Sequence, residues 1–66
     1  MKVKELQNTS VARLIDWRTG TFIEALPFAE AVKKYGECEI MWSYTDKRLP
    51  DGKFQTSLWI KTEQEG

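Results

Sequence analysis

The residue types from which most enzymes build a catalytic site are scarce in this 66-residue chain. It contains no histidine and a single cysteine, Cys38, so neither a Cys–His pair nor a Ser–His–Asp triad can be assembled. A zinc site would have to rely on that one thiol and carboxylates, and the sequence has no glycine-rich phosphate loop. We therefore predict that the protein is not an enzyme and has no catalytic residues, no bound metal and no cofactor.

Glu37 and Glu39 form the one carboxylate pair that invites an acid–base interpretation. They are two positions apart in a predicted strand, so their side chains project to the same face. Acid–base chemistry would also need a cleft that perturbs their pKa values, and neighbouring strand carboxylates more often form a solvated edge. Cys38 follows the parity of the apolar residues, which predicts a small buried hydrophobic residue rather than a reactive thiol.

Candidate binding residues are easier to find than catalytic ones. A large aromatic side chain opposite the core rows of a sheet is typical of a protein contact or a base-stacking surface, unless residues 1–10 or another subunit cover it. The outward face of the C-terminal hairpin is expected to carry one such aromatic residue, Trp59. The candidate partner-binding residues on this face are Met41, Ser43, Trp59 and Lys61.

The tip of the same hairpin carries three cations, Lys47, Arg48 and Lys53. A cluster of this kind could contact phosphate groups. The alternative is a solvated hairpin end whose charges keep a strand edge from aggregating, and we favour it because two neighbouring aspartates dilute the positive charge.

The composition is that of a folded, soluble protein. The chain is 41% hydrophobic, and its ten Lys plus Arg balance ten Asp plus Glu, whereas disorder combines low hydrophobicity with high net charge. The zero net charge also removes the basic excess typical of proteins that bind nucleic acid or membrane surfaces. No apolar run approaches the roughly 18 residues of a membrane span, and no signal peptide is evident. We expect a cytoplasmic protein without a membrane partner, with a single domain over residues 1–66.

The helix is the clearest predicted element. Pro27 suits a first helical position, and Gly36 could end the helix with a positive φ. The pattern predicts a helix from 27 to 35, which must pack on an apolar surface because fewer than three turns are unstable alone. Four apolar residues fall at the i, i+3, i+4 and i+7 spacing of one helix face: Phe28, Ala31, Val32 and Tyr35.

A C-terminal hairpin is predicted by two strands and the turn between them. Apolar and polar residues alternate from 38 to 44 and again from 54 to 60, which is the period of half-buried strands. Pro50-Asp51-Gly52 lies between them and is typical of a type I turn closed by a G1 bulge.

The register that this turn sets pairs Tyr44 with Leu58 and Trp42 with Ile60. Both apolar rows then fall on one face without adjustment, so turn chemistry and hydrophobic pattern agree. The predicted core face consists of Ile40, Trp42, Tyr44, Leu58 and Ile60.

A second hairpin signal lies upstream, where residues 11–17 and 21–26 flank Arg18-Thr19-Gly20. Residues 1–10 are expected either to be poorly ordered or to add an extra edge element to the sheet.

Two registers fit the first hairpin. A three-residue loop pairs Ile15 with Ile23. A four-residue loop pairs Leu14 with Ile23 and places Arg13 opposite Glu24, and we favour it slightly because it matches opposite charges.

The order of elements, hairpin–helix–hairpin, predicts an α+β fold. We expect a small two-layer ββαββ domain, an antiparallel four-stranded sheet with one helix packed on one face. The run VARLIDWRTGTFIEALPFAEAVKKYGECEI resembles, in outline, short proteins of phages and prophages: a strand, a Thr-Gly turn, a strand, a helix ending in Tyr-Gly and an acidic strand. The resemblance covers roughly residues 11–42, and it implies no particular activity because most such proteins have none assigned.

These observations favour a small non-catalytic intracellular protein-interaction module, in line with an accessory or inhibitor protein of a phage or mobile element. Its protein partner is not identified by the sequence. The alternative is single-stranded nucleic-acid binding through an aromatic sheet face, against which the zero net charge argues.

A homodimer is also expected. One short helix covers one side of the sheet, so that Met41 and Trp59 on the other side would be buried by a second copy. The competing arrangement folds Val3 and Leu6 over that side and leaves a monomer.

Overall fold

The computed structural model describes residues 1–62 of the chain. They form four strands and one α-helix, preceded by a 3-10 turn at Val3–Glu5: β1 (Thr9–Asp16), β2 (Phe22–Pro27), α1 (Phe28–Tyr35), β3 (Glu39–Arg48) and β4 (Phe54–Lys61). The predicted small α+β domain with ββαββ order and one helix on the sheet is confirmed. Within the described residues, no helical segment has the length and apolarity needed to cross a lipid bilayer.

The strands lie in the order β2-β1-β4-β3, and the two central strands are parallel. The expectation of a wholly antiparallel sheet is therefore wrong, because two antiparallel hairpins join through the parallel β1–β4 pair and make a mixed sheet. α1 follows β2 and leads the chain to β3 at the opposite edge, so that β4 returns beside β1 in the same direction. Hairpin signals predict each antiparallel pair, but not the side on which the second hairpin joins the first.

The hydrophobic core lies between α1 and the sheet. Val3, from the 3-10 turn, is part of this core, and its amide donates to the Cys38 carbonyl at 3.1 Å. The next amide, that of Lys4, donates to the Gly36 carbonyl at the same distance. Val3 and Leu6 therefore pack on the helix side of the sheet. Six apolar residues there have no solvent exposure: Val3, Ala12, Leu14, Ala31, Leu58 and Ile60.

Met1 and Lys2 lie along the edge of β3. The Ile40 amide donates to the Met1 carbonyl at 2.8 Å, and Lys2 forms an antiparallel bridge with Glu39.

α1 begins at Phe28 with Pro27 as its N-cap. Gly36 follows its last residue as predicted, but the expected positive φ is wrong, since its φ of −55° and ψ of −32° are right-handed. The reason for glycine is close contact. A Cβ at this position would lie 2.4 Å from the carbonyl oxygen of Val32.

The predicted register of the second hairpin holds at its tip, where the Leu49 amide donates to the Lys53 carbonyl at 2.8 Å. Beyond the tip, two bulges, at Asp46 and Met41, each add one residue to β3. Each extra residue shifts the β3–β4 pairing by one position. The β3 side chains farther from the tip then lie on the side of the sheet opposite to that of their predicted partners.

Trp42 therefore pairs with Trp59, and Tyr44 pairs with Ser57. The prediction that Trp42 and Tyr44 belong to the core face is wrong: 57% and 58% of their surfaces are exposed, on the side opposite the helix. The other predicted core residues do lie on the helix side, where Leu58 and Ile60 are fully buried and Ile40 is partly buried.

The first hairpin combines the two loop alternatives. Near the turn, Ile15 pairs in the register of the four-residue loop. A bulge at Ile23 then shifts the rest of the hairpin to the register of the three-residue loop and places Arg13 opposite Ala25. The favoured pairing of Arg13 with Glu24 is therefore wrong.

Glu24 instead ties β2 to the end of α1. Its carboxylate accepts hydrogen bonds from the Lys34 ammonium at 2.8 Å and from the Tyr35 hydroxyl at 2.6 Å. These bonds, that of Lys34 first and that of Tyr35 second, hold the pKa of Glu24 below its ordinary value of 4.5.

We expect Glu24→Gln to make the free energy of unfolding fall less steeply as the pH is lowered below neutrality. Because the pKa of Glu24 is lower in the folded chain, its ionisation stabilises the fold above pH 4.5, and this contribution is lost as the pH falls through the folded pKa. Urea unfolding from pH 7 to about pH 2 measures the effect, with a steeper loss in the wild type than in the variant. Tyr35→Phe, which removes one donor, should give an intermediate slope, and parallel curves would contradict the assignment.

Candidate interaction surface

The side of the sheet opposite α1, called the open face here, presents a row of large apolar side chains. α1 and the 3-10 turn both pack on the other side, and residues 1–62 hold no further element that covers this one. Residues paired directly across neighbouring strands share a face. One such set crosses all four strands and is named the aromatic row: Phe22, Ile15, Trp59 and Trp42.

The rings at the β3 end of this row are in contact. The centroids of Trp42 and Trp59 are 4.5 Å apart at an interplanar angle of 62°, an edge-to-face pair. Tyr44, two residues along β3, is stacked beside Trp42 at 6.4 Å and 18°. Phe22, at the other end of the row, is 49% exposed. Contiguous rings therefore lie at the β3 end of the row, and the buried Ile15, 7% exposed, separates Trp59 from Phe22.

A polar centre of Arg13, Asp46 and Ser57 adjoins the aromatic row. The Ser57 hydroxyl donates to the Asp46 carboxylate at 2.8 Å, and an Arg13 guanidinium nitrogen lies 3.8 Å from the same oxygen. The guanidinium also lies over the Phe22 ring, 5.1 Å from its centroid. The positive and negative charges of the polar centre therefore compensate each other, and its polar atoms have partners.

The structure separates the four residues predicted to bind a partner. Trp59 and Lys61 lie on the open face, while Ser43 pairs with Leu58 and so faces the helix side. Met41 lies in a bulge and is 42% exposed. Within residues 1–62, Val3 and Leu6 do not cover Trp59, because both pack on the helix side of the sheet.

The alternating pattern of β3 did not identify Trp42 and Tyr44 as surface residues. A signal was available in Asp46, which continues the predicted core row of β3 at the same spacing of two residues. A charged residue in that position conflicts with an uninterrupted core strand and is consistent with a bulge.

The three cations at the hairpin tip do not converge on one point. Lys47 pairs with Gln55 on the open face, whereas Arg48 pairs with Phe54 and faces the other side. Lys53 is exposed, and its backbone amide donates to the Asp51 carboxylate at 2.9 Å. That bond is the main reason why the pKa of Asp51 lies below its ordinary value.

Glu37 and Glu39 are engaged in ion pairs. Glu37 accepts from the Lys4 and Lys2 ammonium groups at 2.6 and 3.0 Å, and Glu39 accepts from the N-terminal ammonium at 2.7 Å. These contacts lower the pKa of both carboxyl groups. At neutral pH both are therefore ionised, which suits a structural ion pair and not a general acid.

Cys38 is partly buried beside a shallow cleft at the C-terminal end of α1. Burial raises the pKa of its thiol, so the thiol is protonated at neutral pH. Among residues 1–62, no group of three or more Cys, Asp and Glu side chains is arranged to hold a metal ion.

No protein-family model, curated protein or solved structure matches this chain.

Proposed function

We propose that this chain is a small, non-catalytic protein-interaction module and that the open face is its contact surface. One observation carries the proposal: Trp42 and Tyr44, whose rings adjoin each other and Trp59, are 57% and 58% exposed on this face. Phe22, at the other end of the aromatic row, is 49% exposed. Contiguous apolar surface of this kind is typical of contact sites. Trp and Tyr are also among the residues that most often dominate the energy of protein interfaces.

The polar centre is compatible with such a contact. Covering an unpaired charge is costly, but Arg13 and Asp46 are oppositely charged and lie close together. The Ser57 hydroxyl already has the Asp46 carboxylate as its acceptor. A partner can therefore exclude water from this part of the open face without leaving a buried charge uncompensated.

Single-stranded nucleic acid is the alternative occupant of the same face. The Trp42 and Trp59 rings could stack on bases, but a phosphate backbone needs uncompensated cations beside such rings. On the open face, Arg13 lies near Asp46, and Lys61 is paired across the strands with Glu39. Lys47, at the hairpin tip, adds a further cation to this face, but the charges beside the Trp42 and Trp59 rings are balanced, which favours a protein partner over a nucleic acid.

An accessory or inhibitory role for a phage or mobile element, exercised in the cytoplasm, is the finer part of the proposal. It is supported by the resemblance of residues 11–42 to short phage and prophage proteins.

Adjacent positions of β3 provide a matched test of the contact surface. Position 42 lies on the open face and position 43 on the helix side, so a photoreactive benzoylphenylalanine is placed at one or the other in the full chain. We expect irradiation of expressing cells to give crosslinked protein products from position 42 and few or none from position 43. Mass spectrometry then separates products that contain two copies of this chain from products with another protein.

Equal crosslinking from positions 42 and 43, or none from either, would contradict the proposal. The nucleic-acid alternative is checked on the same purified chain by following tryptophan emission during titration with single-stranded oligonucleotides at low salt. A salt-sensitive change in that emission would favour the alternative.

A further inference from the structure

We propose that the protein that covers the open face is a second copy of this chain, so that the two form a symmetric face-to-face dimer. This inference rests on the proposed role of the open face as a contact surface. It identifies the partner from the size, the charge balance and the edges of the sheet.

The size of the open face matches a small interface. Four strands about 4.8 Å apart and about 26 Å long give a projected area on the order of 500 Å² per copy. Two copies would bury on the order of 1,000 Å², near the lower limit for a specific interface. An interface of this size fits a reversible dimer rather than a permanent one.

The arrangement of the face is self-complementary. A two-fold axis along the aromatic row stacks the row on its own copy, as in an aligned pair of sheets. The polar centres then move to opposite sides of the axis, so that Arg13 does not meet Arg13. Tyr44 of one copy comes to lie over Glu39 of the other, which brings a hydroxyl group against a carboxylate. Lys61 comes to lie over the Ser57 position, where the Asp46 carboxylate accepts from Ser57, so like charges are not opposed.

The sheet edges are poorly suited to self-association, which leaves the face as the available surface. β3, at one edge, is interrupted by bulges at Met41 and Asp46, and Met1 and Lys2 already pair with its first residues. β2, at the other edge, contains a bulge at Ile23 and ends at Pro27. Bulges, charges and proline are the features that prevent edge-to-edge pairing of strands.

Sedimentation equilibrium of the full chain tests the dimer. We expect the wild-type mass to rise from 7.7 kDa towards twice that value between about 1 µM and 1 mM. Trp42→Lys should weaken association by at least about thirtyfold, because a two-fold interface loses the side chain twice. Ser43→Lys, a matched control on the opposite side of the same strand, should leave association unchanged. Circular dichroism establishes that both variants are folded.

A dilution series of amide NMR spectra on the wild type gives a second measurement that needs no variant. Concentration-dependent shifts should be confined to open-face residues such as Trp42 and Trp59, and shifts confined to the helix side would overturn the proposed interface.

A wild type that stays at 7.7 kDa at about 1 mM overturns the dimer. If position 42 still crosslinks to another protein in that case, the second copy is refuted and the contact surface stands; if those crosslinks also fail, both proposals fail.

Discussion

Leu58→Ala should lower the free energy of unfolding by about 2–5 kcal/mol, the range for Leu-to-Ala changes in buried cores. Leu58 has no solvent exposure and lies on the central strand β4, paired with Leu14 of β1. A 66-residue chain without cross-links rarely has more than about 3–5 kcal/mol to lose. We therefore expect the variant to be largely unfolded or to melt at least about 10 °C below the wild type, as measured by circular dichroism during heating and urea titration.

Trp42→Ala is the informative comparison for Leu58→Ala. If Trp42 were a core residue, as the alternating pattern of β3 predicts, its truncation would cost about 3–5 kcal/mol. Because its side chain is more than half exposed and its main ring partner is Trp59, we expect a cost below about 1.5 kcal/mol. A cost as large as that of Leu58→Ala would show that β3 does not carry the bulge at Asp46, which turns Trp42 away from the predicted pairing with Ile60.

Gly36→Ala should lower the free energy of unfolding by at least about 2 kcal/mol, through steric contact rather than backbone strain. The added methyl group would lie 2.4 Å from the Val32 carbonyl oxygen, and a backbone atom cannot move aside as a flexible side chain can. The Gly36 carbonyl accepts from the Lys4 amide, so displacement of this turn also loosens the N-terminal segment. Urea unfolding and hydrogen exchange at the Lys4 amide measure the two effects.

Gly20 supplies the matched control, because it has a φ of +77° and nothing lies within 4 Å of the position that an added methyl group would occupy. Gly20→Ala should cost about 1–2 kcal/mol, the ordinary penalty for a left-handed residue with a side chain. Gly20→Asn should recover much of that loss, since asparagine tolerates the left-handed region. Gly36→Asn should recover none of the loss caused by Gly36→Ala, and a recovery there would contradict the steric explanation.

The amino-acid sequence by itself determined the elements and their order. The helix follows from the spacing of residues 28–35 and from Pro27 before them, and the second turn from Pro50-Asp51-Gly52. These signals are local: each depends on the dihedral preferences and the apolar spacing of a few neighbouring residues. The ββαββ order and the helix-side burial of Leu58 and Ile60 could therefore be predicted without the fold.

Only the tertiary structure decided how the hairpins join and where the bulges lie. The parallel pairing of β1 and β4 depends on where α1 packs, and no local signal encodes that position. The side on which β3 presents Trp42 depends on the bulges, and the bulge at Asp46 places its carboxylate beside Arg13 of β1 and Ser57 of β4. Alternation along a strand predicts which side chains share a side of the sheet only as far as the next β-bulge, because the extra residue there reverses the alternation. The open face thus arises from long-range pairing, and the residues that form it are distant from one another in the sequence.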